Sequence, residues 1–234
     1  MTGAIITQFH REDEKGEYSR YCLNGSFFFI KPDVAVTAYV NLTEHRKSYG
    51  WNYGDDYFYF NSGREPLNSS VKNKDAVRCI RLRREWLVEY PERNITEIHF
   101  PEPMTSEFFQ VSAKGAVDGQ GIMCEGFDCK DNLSLEADPD SVDFLWLSKK
   151  EERKIKLYRQ DAFIEDLIEG DCIYADYLEI DKIDVLYTSC HPNLCLIGGP
   201  ILNHEGTEVM GVLSHETDDP YKSHEGLRAV RISG

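Results

Sequence analysis

Three groups of side chains in this sequence have the types and spacing for chemistry. Cys190-His191 and Cys195 stand beside the apolar stretch Leu196-Ile197-Gly198-Gly199-Pro200-Ile201-Leu202. A thiolate held against an imidazole is a nucleophile with its base, and His191 and His215 are the candidate imidazoles for Cys190 or Cys195. Cys124-x4-Cys129 and Cys190-x4-Cys195, with His191, also offer soft ligands to a metal. Zinc pairs usually have about two to four residues between ligands, and these two pairs are far apart in sequence. Buried free thiols account for them better, and no metal site or cofactor is expected. The third group is a carboxylate, Asp143, ahead of the apolar run Phe144-Leu145-Trp146-Leu147.

The elements that must hold these groups read as strands and tight turns. Gly198-Gly199-Pro200 forces a bend that only small residues allow. Asn203 to Gly206 is a polar turn between apolar runs, the signature of a hairpin. Gly25-Ser26-Phe27-Phe28-Phe29-Ile30, the turn Lys31-Pro32-Asp33 and Val34-Ala35-Val36-Thr37-Ala38 read as a buried hairpin. Tyr49, Trp51, Tyr53, Tyr57, Phe58, Tyr59 and Phe60 crowd one stretch. Either they pair across an exposed hairpin, or they form a contact surface with Trp51 and Tyr53 as anchors. In 76–88, Ile80 and Leu82 alternate with Arg81 and Arg83. The basic patch Arg78, Arg81, Arg83 and Arg84 therefore reads as the solvated face of a strand. Residues 151–168 are charged and loosely amphipathic, a short helix or a strand leading into a linker between two halves.

Composition narrows the class. The chain has 234 residues, one large domain or two small ones, with 41% hydrophobic and 12% aromatic residues to build a core. Its net charge of −15 opposes binding to a phosphate backbone, so no nucleic acid is expected as a partner. Met1 to Arg11 lacks a basic segment followed by an apolar run, and no apolar run is long enough to span a bilayer. No membrane association and a cytoplasmic location are the expectations. Seven cysteines, an odd number without a compact framework, argue against a disulfide scaffold.

The stretch from Cys195 to Leu213 resembles the nucleophile loop of the trypsin-like (chymotrypsin-fold) serine proteases, especially the bacterial heat-stress type. That family reads G-[DN]-S-G-G-P-L-[LV]-N, a turn, then G-x-[VL]-[IV]-G-[IV]. Gly198, Gly199, Pro200, Asn203, Val209, Gly211 and Val212 match. Ile197 stands at the serine and Cys195 at the first glycine. Gly25 through Ala38 resembles the family's G-S-G-F-[FIV]-[IV], turn, [VL]-[LV]-T-A-A-H-V, with Val40, or Tyr39 after a one-residue slip, at the histidine. Ser141 to Leu147 resembles the strand that carries the family's aspartate, which places Asp143 there. Glu169-Gly170-Asp171-Cys172-Ile173-Tyr174-Ala175 resembles E-G-D-x-V-Y-A, which opens the family's second barrel.

The resemblance implies an all-β protein of two packed antiparallel barrels. Residues 1–150 would form the first, with an unaligned insertion at 45–140, and 151–234 the second. It also implies a degenerate site, since neither isoleucine nor valine moves a proton and a Cβ at Cys195 disfavours the loop that aims the oxyanion donors. The expected function is that of a pseudoprotease, a protein-binding or regulatory module without a cofactor. It would be a monomer or part of a hetero-complex with a protein partner, with bacterial defence or signalling systems as one setting. Ser214 and His215 line the groove where the family binds extended peptide by strand addition. A working protease with a relocated Cys/His site and a structural subunit of a larger complex are the alternatives.

Overall fold

The computed structural model describes residues 1–13, 16–42, 51–60, 76–129, 131–138, 140–175, 178–191, 196–216 and 226–232. Within these, 13, 76–78, 170–175, 178–183, 215 and 216 are described by backbone alone. In chain order the strands are β1 (Thr2–Asp13), β2 (Gly16–Lys31), β3 (Val34–Ala38), β4 (Asn52–Tyr59), β5 (Ala76–Arg81), β6 (Leu87–Tyr90), β7 (Ile95–His99) and β8 (Gln110–Val111). They continue as β9 (Gly121–Asp128), β10 (Leu135–Ala137), β11 (Phe144–Ser148), β12 (Lys156–Ala175), β13 (Leu178–Thr188), β14 (Pro200–Asn203), β15 (Glu208–Glu216) and β16 (Leu227–Arg231). The one α-helix among the described residues, α1 (Lys149–Glu152), is a single turn started by the Ser148 side chain, which accepts from the Glu151 N–H.

These strands make two sheets. The first has nine strands in the order β10-β11-β5-β4-β1-β2-β3-β7-β6. The second runs β14-β9-β12-β13-β16-β15-β8, and the pairing of β14 with β15 closes six of its strands into a barrel. The first sheet is not closed by edge pairing among the described residues; it wraps around its side chains instead. Period-two alternation explains how. Phe27 and Phe29 on β2 face one core with Ile5, Ala35, Phe58, Phe60, Ile98 and Phe100, while Phe28 between them faces the barrel. Edge-to-face ring pairs set that core, with centroids 4.8 Å apart for Phe27–Phe58 and 5.2 Å for Phe29–Phe60.

The structure corrects several sequence expectations. The Tyr57–Phe60 stretch is not an exposed hairpin but largely the inner half of β4, a central strand between β1 and β5, and it is buried on both faces. The second sheet does not begin at 169–175. Its strand β9 lies far earlier, and 169–175 is the far end of the long β12. A cut at residue 150 leaves β8 and β9 on the first side although they belong to the second sheet. No helix among the described residues is long and apolar enough to cross a membrane.

Candidate functional site at the junction of the sheets

The loop ahead of β14 is pinned against the first sheet. The Ile197 carbonyl accepts from the Ser26 N–H at 2.8 Å and from Asn41 Nδ2 at 2.7 Å. Asn41 gives its other proton to Thr37 Oγ1 at 3.0 Å, and Thr37 in turn donates to the Ser26 carbonyl at 2.7 Å. Gly198 donates to the Leu213 carbonyl at 2.7 Å, and Leu213 N–H reaches the Gly199 carbonyl at 2.8 Å. Ser26, Thr37 and Asn41 are fully buried, so the chain of bonds is sealed from water. This is why the glycines are needed. Gly198 has φ of 86°, and a Cβ there would lie 2.2 Å from the Ser26 carbonyl oxygen and 2.3 Å from Thr37 Oγ1.

The two positions expected at nucleophile and base do come together. Ile197 and Val40 belong to one buried cluster with Phe28, Val36, Ala38 and Ile95 from the first sheet and Val185, Tyr187, Leu202, Val209, Val212 and Val230 from the second. Each is only 2% exposed. Tyr39 is the neighbouring residue, and its N–H donates to the Asn94 carbonyl at 3.0 Å.

Asp143 is not part of this junction. It lies just before β11, the strand next to the edge strand β10 of the first sheet, where its carboxylate takes Arg83 at 2.5 Å and its carbonyl takes the Arg81 N–H. Asn94 occupies the junction instead. It sits in the left-handed region at φ 48°, fully buried, after the turn Pro91–Arg93. Its Oδ1 accepts from the Val40 N–H at 3.2 Å, and its Nδ2 donates to Ser214 Oγ at 2.5 Å. The Val40 N–H can only donate, so it fixes which end of the amide faces which sheet. Sequence reading passed over Asn94. The signal was there: Asn94-Ile95-Thr96-Glu97-Ile98 has the same polar residue ahead of an alternating strand as Asp143-Phe144-Leu145, with an amide for the acid.

The remaining candidates scatter. Ser214 is fully buried and spent on Asn94, while His215 is described by backbone alone, in register with Arg228. Past Val212, β15 is bonded through Leu213 to the Gly198–Gly199 loop. Trp51 lies under the Arg20 guanidinium at 4.5 Å. Tyr53 packs edge-on against Phe9 and donates its hydroxyl to the buried Asp56. Both are half-buried and have partners within the chain. The basic patch is neutralised in part: Arg81 meets Asp55 at 2.7 Å, and Arg83 meets Asp143. Cys195 lies outside the described residues. Cys190 is buried in the barrel's interior cluster with Cys124. Its hydrogen bond to Cys124, with burial, pushes the Cys124 thiol well above its ordinary value. His191 is exposed, and its N–H donates to Gln160 Oε1 at 2.9 Å. Cys129 is half-buried and donates to the Asp131 carbonyl.

A closed six-stranded antiparallel barrel joined through buried loops to a second wrapped sheet is the trypsin-like protease fold. Solved structures with that fold superpose on nearly the whole chain. The active form of the Rv3671c protease from M. tuberculosis has a TM-score of 0.55 at 13% identity, covering 99% of this chain and 76% of that one. The HtrA-type protease AlgW, solved with a decapeptide, gives 0.59 at 9% identity, covering 98% of this chain and 60% of that one. The MamO protease domain from Magnetospirillum magneticum gives 0.51 at 10% identity, with 89% and 83% covered. No protein-family model matches the chain, and no curated protein matches it in sequence.

Proposed function

We propose that this chain is a trypsin-like pseudoprotease, a protein-binding or regulatory module that does not hydrolyse peptides. The observation that supports it is the composition of the junction. Val40, Asn94 and Ile197 are buried there, and none carries a group that titrates near neutrality. An aspartate at Asn94 would accept from both the Val40 N–H and Ser214 Oγ. The asparagine must donate to one of them, so it is neutral and cannot orient or stabilise an imidazolium. We read Asn94, not Asp143, as the position of the lost acid. Cys190 does not supply a substitute, because its thiol is fully buried in the barrel interior, against Gln160 Oε1 at 3.7 Å, and out of a substrate's reach. Peptide binding along β15 beside Ser214 and His215, as the resemblance implies, uses main-chain hydrogen bonds and needs none of these side chains.

The test is activity-based labelling. The purified protein, incubated with a fluorophosphonate and with a peptidyl acyloxymethyl ketone, should take up neither above the level of heat-denatured protein. It should also leave labelled casein intact. Stoichiometric labelling of Cys195 with casein turnover would replace this reading by the relocated cysteine protease.

A further inference from the structure

The cysteines among the described residues differ in what their sulfurs touch. Cys22 gives its thiol proton to Asn132 Oδ1 and Cys129 to the Asp131 carbonyl, each at 3.2 Å, and both are half-buried. Cys79 lies in an apolar cluster with Leu145 and Leu147. Cys124 and Cys190 have each other. They are hydrogen-bonded together, fully buried, and part of the barrel's interior cluster, although they come from distant parts of the chain.

The register of the barrel explains the meeting. Cys124 on β9 stands opposite Gln160 on β12 and Ile201 on β14, so the three side chains share a face. Gln160 Oε1 accepts from the Cys190 thiol at 3.7 Å and from the His191 N–H at 2.9 Å, which holds the residues after β13 against that face. The backbone of Cys190 is fixed on both sides. Its N–H donates to Thr188 Oγ1 at 3.3 Å, and its carbonyl accepts from the Leu227 N–H at 3.0 Å. Two thiols held in contact on a fixed backbone need only a side-chain movement to reach the length of a sulfur–sulfur bond, about 2.05 Å.

We propose that Cys124 and Cys190 are a redox clasp: a disulfide between them closes when the chain folds beside a small disulfide oxidant of the glutathione type, and ties β9 to the segment that leads into the Ile197–Gly199 loop. One cysteine thiolate attacks a sulfur of the oxidant and releases one small thiolate. The second attacks the mixed disulfide and releases the other. The two protons pass from the cysteines to the leaving thiolates, so the protein is oxidised by two electrons and the oxidant is reduced to two thiols. Both sulfurs are sealed in the folded chain, so the exchange takes place while the barrel folds or opens, and the finished bond is out of a reductant's reach. The bond encloses about 65 residues, a loop long enough for the restraint on the unfolded chain to be large.

The experiment is refolding of the full chain under a set redox poise. Reduced protein in urea is diluted into equal millimolar oxidised and reduced glutathione, quenched with acid, capped with N-ethylmaleimide, digested and mapped by mass spectrometry. Most refolded molecules should yield the Cys124 peptide joined to the Cys190 peptide, and the same mixture acting on chain kept in urea should yield at least tenfold less of it. Dithiothreitol should open the bond at least tenfold more slowly in the folded protein than in urea. The Tm of the oxidised wild type should exceed that of the reduced wild type by about 5–15 °C. In Cys124→Ala the two Tm values should coincide. Mapping of the refolded wild type decides the matter even if that variant does not fold. Cys190 found joined to Cys195 or to glutathione, or both Cys124 and Cys190 found as capped thiols, would overturn the proposal. So would an oxidised Tm no higher than the reduced one.

Discussion

Gly198 and Asn94 do different work at the same junction. Gly198 holds a positive φ in a space already filled by the Ser26 carbonyl and Thr37. Gly198→Ala combines backbone strain with overpacking, and a loss of about 2–4 kcal/mol is expected from urea unfolding. A loss under about 1 kcal/mol would mean that β2 and the loop are not locked together. Asn94 tolerates the left-handed region and spends both ends of its amide. Asn94→Ala removes its hydrogen bonds with the Val40 N–H and the Ser214 hydroxyl in a sealed site, and about 2–4 kcal/mol should be lost. Asp143→Asn is the control. It weakens only a partly exposed pair with Arg83, so stability should change by less than about 1 kcal/mol. If Asp143→Asn proved the more damaging of the two, the assignment of the junction amide would be wrong.

Among the elements, α1 is one turn long and owes its place to a buried carboxylate. Burial alone would raise the Glu151 pKa. The Lys154 ammonium at 2.7 Å and the Ser134 N–H at 3.0 Å more than offset it and hold the pKa below the ordinary 4.5. A depressed carboxylate stabilises the fold in full above its unfolded value. That stability is lost as pH falls through the lower folded value. Glu151→Gln should therefore be less stable than wild type at pH 7, and the gap should narrow as pH drops below 4.5. A gap independent of pH between 7 and 3 would show that the carboxylate acts by shape alone. The β14–β15 hairpin has a similar local anchor. Asn203 Oδ1 accepts from Thr207 N–H at 2.8 Å and from Glu208 N–H at 3.1 Å. Asn203→Ala should cost about 1–2 kcal/mol by chemical unfolding.

The two sheets share the cluster around Ile197 and Val40, and Phe127 of β9 packs against Tyr59 of β4, so the molecule should protect its interior as a unit. Cys79, Cys124 and Cys190 are fully buried, and burial also pushes the Cys79 thiol up. Iodoacetamide at pH 8 should leave these three unmodified in the native protein and label them on unfolding, with Cys22 and Cys129 more reactive than any of them. Early labelling of Cys190 in native protein would show that the segment after β13 opens independently. The same unity bears on restoring activity. In our reading Val40→His with Ile197→Ser sets a serine and an imidazole against a neutral amide in a packed junction. That double variant should not turn over a fluorogenic peptide library. Turnover would mean that the groove is intact and lacks only its side chains.

Much of this was written in the chain. Alternation and turn chemistry made the β2–β3 hairpin legible, because Phe27-Phe28-Phe29 and Val34-Ala35-Val36 are β-formers around a Pro-Asp turn. Gly198-Gly199-Pro200 announced a bend, and its fit against Ser26 confirms why no other residue serves at Gly198. Local pattern does not report which strand lies next to which. The sequence left Tyr57–Phe60 readable as surface, since burial of both faces of β4 depends on β1 and β5 arriving on either side. It left β9 in the first half, since barrel closure depends on strands far apart in the chain. Asp143 and Asn94 both precede alternating strands, and a charged carboxylate is the stronger local signal. Only the packing of the two sheets decides which of them reaches Val40 and Ser214. That is a long-range contact, set by which apolar faces must be covered, and no short window of residues contains it.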